Sequence, residues 1–294
     1  MVTVPILVVT GLVVCGWAQE APAVLEYTGQ PMRLAFQCTE EDIRSFGLTC
    51  PAHQPCPVYL ELAEVEPVGN RLFVSGNLHT EAVTLSSVLL AGSDGGRAWH
   101  EPHDRIRSAG LDLIQFLDFE AGWMAGQFLH AVPRDPFLLL TTDGGKSWRL
   151  RPVSGEGRVG AIDSFLFDSR THGLLLLDRR MAGEETSRFE MYETQTGGAS
   201  WMIREVSDRP IADARKLART PVSGWRIRAD AESYRVEKRV GENWETVAAF
   251  LTRVGECRVP ELTVAPEPAV PPEAPEPEAP PAPRKPPSLK RPPQ

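Results

Sequence analysis

Three clusters hold side chains able to do chemistry, and each has a structural role competing for it. His100-Glu101-Pro102-His103-Asp104 sets imidazoles and carboxylates within five positions, donor types that suit zinc and similar metals. Pro102 interrupts any helical or strand period there, so the expectation is a polar connecting loop and no metal centre. Cys50, His53 and Cys56 have ligand-like spacing, but thiols of an exported chain pair with each other. Glu40, Glu41 and Asp42 follow Thr39, and Thr39 to Phe46 reads as a short capped helix whose acids serve its N-terminus rather than catalysis. No nucleophile elbow, phosphate loop or metalloprotease helix occurs. The expectation is therefore no catalytic residue, no metal and no cofactor.

The elements around these clusters come from a repeat. Ser93-Asp94-Gly95-Gly96-Arg97-Ala98-Trp99 returns as Thr141-Thr142-Asp143-Gly144-Gly145-Lys146-Ser147-Trp148 and as Thr194-Gln195-Thr196-Gly197-Gly198-Ala199-Ser200-Trp201. The tryptophans are 49 and 53 residues apart, and Glu242-Asn243-Trp244 is a worn fourth copy 43 residues on. An Asp side chain can bond backbone two residues ahead, and the glycines accept positive φ, so each copy predicts a hairpin turn with its Trp folded beneath it. Only the second copy carries the whole set Thr141, Asp143, Gly145, Ser147 and Trp148; the first has Gly92 and Ala98 at hydroxyl positions, and the third has Thr196 for the Asp.

Four short strands flank each turn. In the best unit they fall at Leu113–Phe119, from Gly122, Phe137–Thr142 and Ser147–Arg151. Matching sets occupy about 57–105, 154–207 and, less clearly, 208–254, where the first strand is expected at Lys216–Arg219. A period of this length with four strands per unit predicts an all-β fold, a small β-propeller of four blades. A fifth, irregular blade built from Val24–Cys38 is the alternative.

The ends stand apart from the repeat. Residues 1–18 read as a signal peptide: Val2–Ala18 is apolar and uncharged, and Gly16 and Ala18 supply small residues before Gln19. Lipoprotein processing at Cys15 is disfavoured, because Val14 stands where a small residue is wanted. Residues 19–56 hold the short helix and a cysteine-rich loop, 57–258 the propeller, and 259–294 a tail. Fourteen of the chain's 27 prolines fall within 260–294, among Ala and Glu, before a basic end at Arg284, Lys285, Lys290 and Arg291. Such a stretch predicts an extended, disordered segment. Membrane or polymer contact is expected only through that basic tip.

After leader removal four cysteines remain, Cys38, Cys50, Cys56 and Cys257, which allow three pairings. Cys38 with Cys257 is favoured because it would staple the ends of the ring, and it leaves Cys50 with Cys56 across a short loop. A net charge of −8, with no basic stripe in the globular part, excludes nucleic acid as a partner.

The turns resemble the Asp-box, or BNR, repeat of sialidases and sortilin-type receptors. Phe116 to Gly126, with its Gly122-Trp123 pair, followed by the Asp143 turn, is most similar to the photosystem II stability and assembly factor group. The resemblance covers 57–205 well and 208–254 poorly. It implies structural roles for Asp94, Gly96, Trp99, Thr141, Asp143, Gly145, Ser147, Trp148, Thr194, Gly198, Ser200 and Trp201 at the blade periphery. A sialidase would need an arginine triad, a Tyr–Glu nucleophile pair and an acid/base Asp. Four tyrosines are available (Tyr27, Tyr59, Tyr192, Tyr234), the triad has no evident place, and Arg33-Leu34-Ala35 stands where those enzymes have Arg-Ile-Pro. The expectation is an exported, secreted or periplasmic, non-catalytic propeller that binds an envelope protein. A carbohydrate or peptide receptor, or more remotely a sialidase-like hydrolase, is the alternative. Binding is expected at Asn77–Thr84, Gln127–Pro136 and Arg179–Arg188, loops at one topological position that carry His79, His130, Arg134, Arg179 and Arg180. Those arginines are expected to be exposed enough that reversing their charge leaves stability unchanged.

Overall fold

Apolar runs punctuated by Gly, Pro and Asp give short strands joined by tight turns. In the computed structural model the described residues are 23–51, 53–183, 188–212, 217 and 224–258. The expected leader and the Pro-rich tail lie outside them. Four antiparallel sheets follow the chain as successive meanders, making an all-β propeller. The first holds β2 (Cys56–Val68), β3 (Arg71–His79), β4 (Thr84–Ser93) and β5 (Ala98–His100). The second holds β6 (Ala109–Phe116), β7 (Gly122–Leu129), β8 (Pro133–Thr141) and β9 (Arg149–Pro152); the third β10 (Ala161–Phe167), β11 (Gly173–Asp178), β12 (Phe189–Thr194) and β13 (Met202–Ser207). The fourth has three described strands, β14 (Trp225–Ala229), β15 (Ser233–Val240) and β16 (Asn243–Leu251). The strand expected at Lys216–Arg219 lies outside the described residues except for Leu217, which sits in a turn.

Both ends of the propeller chain close on the first sheet. β17 (Arg253–Cys257) pairs with β2, Cys257 opposite Cys56, and β1 (Leu25–Glu26) pairs with the outer edge of β5. Between them Met32 bonds Ala249 and Leu251 of the fourth sheet. Val24–Cys38 therefore reinforces sheets one and four and makes no fifth blade among the described residues. Cys38 is bonded to Cys257 across 219 residues, and Cys50 to Cys56 across six. The helix α1 (Glu40–Ser45) carries the expected capping box: Asp42 N–H donates to the Thr39 hydroxyl at 3.1 Å and Thr39 N–H to the Asp42 carboxylate at 2.8 Å.

The middle strands β3 and β7 are buried on both faces, whereas the outer strand β9 is exposed throughout. The packing itself repeats. Trp148 meets Phe116 and Phe73 edge-on, at 5.8 and 6.0 Å, and Trp201 meets Phe167 at 5.9 Å, with Phe167 stacked on Trp123. Backbone clamps join the sheets as well. Glu66 accepts from Phe116 N–H at 3.1 Å, and one sheet further on Gln115 grips Phe167 N–H and C=O at 2.9 and 2.8 Å.

In each of the first three sheets the pairing of first and second strands slips at the same place, leaving Ala63, Asp112 and Asp163 as bulged residues. Gly76 and Gly126 sit opposite the first two bulges. A Cβ there would come 2.1 Å from Glu61 O and 2.5 Å from Gly110 O, so only glycine permits the approach. The strand expected at Leu113–Phe119 runs earlier, ending at Phe116. Asp118 instead caps a turn, its carboxylate accepting from Glu120 and Ala121 N–H at 2.8 Å.

Candidate functional site

The three Gly-Gly turns are held in three ways. The Asp143 carboxylate accepts from Lys146 and Ser147 N–H at 3.0 Å and from the Thr141 hydroxyl at 2.9 Å, while Thr141 Oγ1 accepts from Gly145 N–H at 2.8 Å. Desolvation raises the Asp143 pKa, but hydrogen bonds from the Ser147 hydroxyl and amide, from Thr141 and from Lys146 outweigh it and hold it at about 2. In the third turn the Thr196 hydroxyl takes the carboxylate's place, accepting from Ser200 N–H at 2.9 Å, and Thr194 Oγ1 accepts from Gly198 N–H at 3.0 Å. The first turn is held by backbone, with Gly96 and Arg97 N–H donating to Ser93 O and Asp94 at φ 51°. Trp99 and Trp148 are buried and donate from Nε1 to Gly96 O at 2.7 Å and Gly145 O at 3.1 Å. Trp201 differs: it is half-buried and its Nε1 has no partner, while Gly197 O is taken by Trp123 Nε1. Every bond to the Asp143 carboxylate comes from its own turn.

The metal-capable sequences are likewise committed. Cys50 and Cys56 are bonded to each other, Glu101 forms an ion pair with Arg105 at 2.6 Å, and Glu41 and Asp42 pair with Arg107. Among the described residues no group of three or more His, Cys, Asp or Glu is arranged to hold a metal.

The first two connections between second and third strands are shorter than expected because the strands run on, so that only residues 80–83 and 130–132 leave the sheets. The third starts at Arg179 as expected, and part of it, residues 184–187, lies outside the described residues. His79 ends β3 half-buried, its Nδ1 2.9 Å from Thr80 O, and His130 is exposed. Arg134 lies within β8 opposite Phe128, with a buried, unpartnered Nε. Arg180 is exposed on Asp178, whose carboxyl that guanidinium holds below the usual range. Arg179 is not a surface arginine. It is 9% exposed, pairs with Glu190 at 2.6 Å and donates from Nε to Val159 O. The expectation that its charge could be reversed without loss of stability is therefore corrected, because reversal would set two buried carboxylates together.

Arg179 belongs to a buried cluster that the sequence did not announce. Glu190 also takes bonds from Arg158 and, at 2.8 Å, from the Tyr192 hydroxyl. Burial works to raise Glu190, but the bonds from Arg158, Tyr192 and Arg179 prevail and hold it below the usual carboxylate range. Burial and the neighbouring Glu190 push the Tyr192 phenol up to about 12. A Tyr–Glu pair flanked by two arginines thus exists, with its carboxylate already held by three donors. Two hollows adjoin along Ser154, Glu156 and Gly157. One, of about 440 Å³, is lined by Phe128, Arg134 and Asp135, and the other, of about 470 Å³, by Arg158, Arg179, Tyr192 and Trp201. The segment between them is pinned by Asp135, which bonds Arg158 through backbone and side chain.

A second cluster lies at the first two bulges. Asn77 Nδ2 donates to Glu61 Oε2 at 3.4 Å, Gln127 Nε2 donates to Asp112, and Ser75 Oγ donates to Asp112 O at 3.3 Å. Burial raises the Asp112 pKa, the Gln127 bond lowers it, and the Glu61 charge raises it again. The available signal was the repeat itself, since Gly76-Asn77 and Gly126-Gln127 are the same position of successive units.

No family model and no curated protein matches the chain. Among solved structures it is similar to YCF48 from Cyanidioschyzon merolae (14% identity, TM-score 0.34, covering 66% of this chain and 50% of that one). It is also similar to the GH74 xyloglucanase from Xanthomonas campestris (14%, 0.34, 63% and 28%). A third is the Penicillium chrysogenum alpha-L-arabinanase complexed with arabinobiose (14%, 0.33, 68% and 71%). The chain thus spans half the length of the first and under a third of the second. Two disulfides place the fold in an oxidising compartment. No helix among the described residues is long and apolar enough to cross a membrane.

Proposed function

We propose that this is an exported, non-catalytic β-propeller of Asp-box type that binds an extracytoplasmic protein, most in keeping with an assembly scaffold. The partner site in this reading is the pair of adjoining hollows between the second and third sheets. The observation that carries it is two buried donors with nothing to donate to, Arg134 Nε and Trp201 Nε1, on residues that each line one of the hollows. A desolvated N–H without an acceptor is costly, and a docking chain could supply the missing carbonyl or carboxylate oxygens. Against catalysis here stand Tyr192, whose pKa of about 12 is wrong for a nucleophile, and Glu190, which is already saturated.

The test is capture from envelope extract by the wild type, by Arg134→Met with Trp201→Phe, and by a chain lacking residues 260–294. Loss of one discrete protein with the double variant, at unchanged melting temperature, supports the reading. Loss only on removing the tail sinks it. A second reading, a glycan groove, is favoured by the edge of Trp201 beside Arg158 and Tyr192. One discrete glycan on an array, with no protein captured, would establish that reading instead.

A further inference from the structure

We propose that Glu61, Asn77, Asp112 and Gln127 form a binding site for a hard divalent cation, Ca²⁺ in the first instance. The inference stands apart from the partner-binding reading and uses a different part of the molecule.

Its starting point is a pair of orphaned oxygens. Asn77 and Gln127 are 7% and 5% exposed, and Asn77 Oδ1 and Gln127 Oε1 are both buried without a hydrogen-bond partner. The amide orientations are forced. Each –NH₂ donates to a carboxylate, Asn77 to Glu61 and Gln127 to Asp112, and turning either amide over would set its carbonyl oxygen against that carboxylate. Each orphaned oxygen is the other prong of the same planar amide, so it stays beside the acid its nitrogen touches.

The two halves meet because of the bulges. Glu61 and Asn77 face each other across β2 and β3, and Asp112 is the bulged residue of β6, next to Gln127 on β7. They come together at Gly110: Asp112 Oδ1 and Asn77 Nδ2 lie 3.7 and 3.9 Å from the point its Cβ would occupy, with Leu129 Cδ1 nearer at 3.1 Å. The outcome is two carboxylates and two orphaned amide oxygens on adjoining stretches of the first two sheets, with a formal charge of −2 when both acids are ionised. Acceptors with no N–H within reach are satisfied by a cation. Amide carbonyls mixed with carboxylates on separate strands suit the larger, geometrically tolerant Ca²⁺ better than Mg²⁺, which demands near-ideal octahedral geometry. A buried water donating to both oxygens is the competing occupant.

Isothermal titration of the full chain, first dialysed against EGTA, decides between them. Binding of one Ca²⁺ per chain is expected, with a Kd of about 10⁻⁴–10⁻³ M as in extracellular modules, and a melting temperature that rises with Ca²⁺. Mg²⁺ is expected to bind at least about tenfold more weakly. Asp112→Asn keeps the shape and removes a charge, and Gln127→Met removes an orphaned oxygen; each should weaken Ca²⁺ binding by about tenfold or more. No heat and no thermal shift for the wild type at about 10 mM Ca²⁺, well above that affinity range, would overturn the proposal in favour of water. Wild-type affinity in both variants would overturn it too, by moving the binding to acids elsewhere, such as those of the tail. If a variant fails to fold, the wild-type titration still decides.

Discussion

Truncating Trp148 to Ala probes the repeat at its best-formed copy. The indole is 7% exposed, meets Phe73 and Phe116 edge-on and donates from Nε1 to Gly145 O at 3.1 Å. Removing it opens a cavity between the first two sheets and strands a buried carbonyl. Large aromatic deletions of this kind cost about 3–5 kcal/mol. For a domain of this size that lowers the melting temperature by about 6–20 °C, at roughly 2–4 °C per kcal/mol. Trp148→Phe keeps one aromatic ring but loses the hydrogen bond and part of the packing, so it should cost less than Ala, about 2–3 kcal/mol. Trp201→Ala is the internal control: that ring is half-buried and its Nε1 is unpartnered, so its loss should cost clearly less than that of Trp148. Urea unfolding followed by far-ultraviolet circular dichroism, without reductant, measures all three. Equal losses at Trp148 and Trp201, or no loss at Trp148, would refute the claim that the second turn is anchored by its buried indole.

The Cys38–Cys257 bond closes a 219-residue loop and should contribute about 5 kcal/mol by chain entropy, against about 2 kcal/mol for Cys50–Cys56; paired Cys→Ser variants in urea test the order, and equal losses contradict it. Asp143 has a folded pKa of about 2, below its unfolded value near 3.8, so its contribution is present above pH 4 and is lost as pH falls through about 2. Because the carboxylate is mostly exposed, solvent screening limits that contribution to about 1 kcal/mol. The stability gap between wild type and Asp143→Asn should therefore close in acid; a gap that persists at pH 1.5 (roughly half a unit below the folded pKa) argues against it. Arg179→Ala should cost about 2–3 kcal/mol, somewhat under the usual loss for a broken buried pair because Arg158 and Tyr192 still hold Glu190. Arg180→Ala should cost less, about 0.2–1 kcal/mol, since its guanidinium is exposed although Asp178 is half-buried. Thermal melts that rank the two the other way would place Arg179 at the surface.

Much of the scaffold was legible because its signals are local. A Gly-Gly turn followed by Trp dictates backbone conformation within eight residues, and strand positions such as Ile162 to Phe167 or Trp244 to Phe250 follow from apolar runs between breakers. The capping box at Thr39 is equally short-range. Strand ends were less legible: Leu117 to Phe119 carry strand-like residues, yet Asp118 bonds the next amides and turns the chain. Two of the binding loops shrank for the opposite reason, as Asn77 and Gln127 stay in register with Glu61 and Gly110 and the strands run on.

By itself, then, the sequence determined the repeat and the turn chemistry at Asp143, since both depend on neighbours along the chain, while tertiary structure chose four sheets over a fifth blade and one of the three cysteine pairings. Tertiary structure alone decided that Arg179 lies buried on Glu190 while Arg180 stays in water, although the two are adjacent. It also decided that Glu61 with Asn77 and Asp112 with Gln127, in different sheets, lie close together, each beside an amide whose oxygen is buried without a partner. The reason is geometric. A bulge adds one residue to a strand and so changes which side chains face inward beyond it, and that shift is set by the partner strand and its glycine, not by the alternation of the strand that carries it.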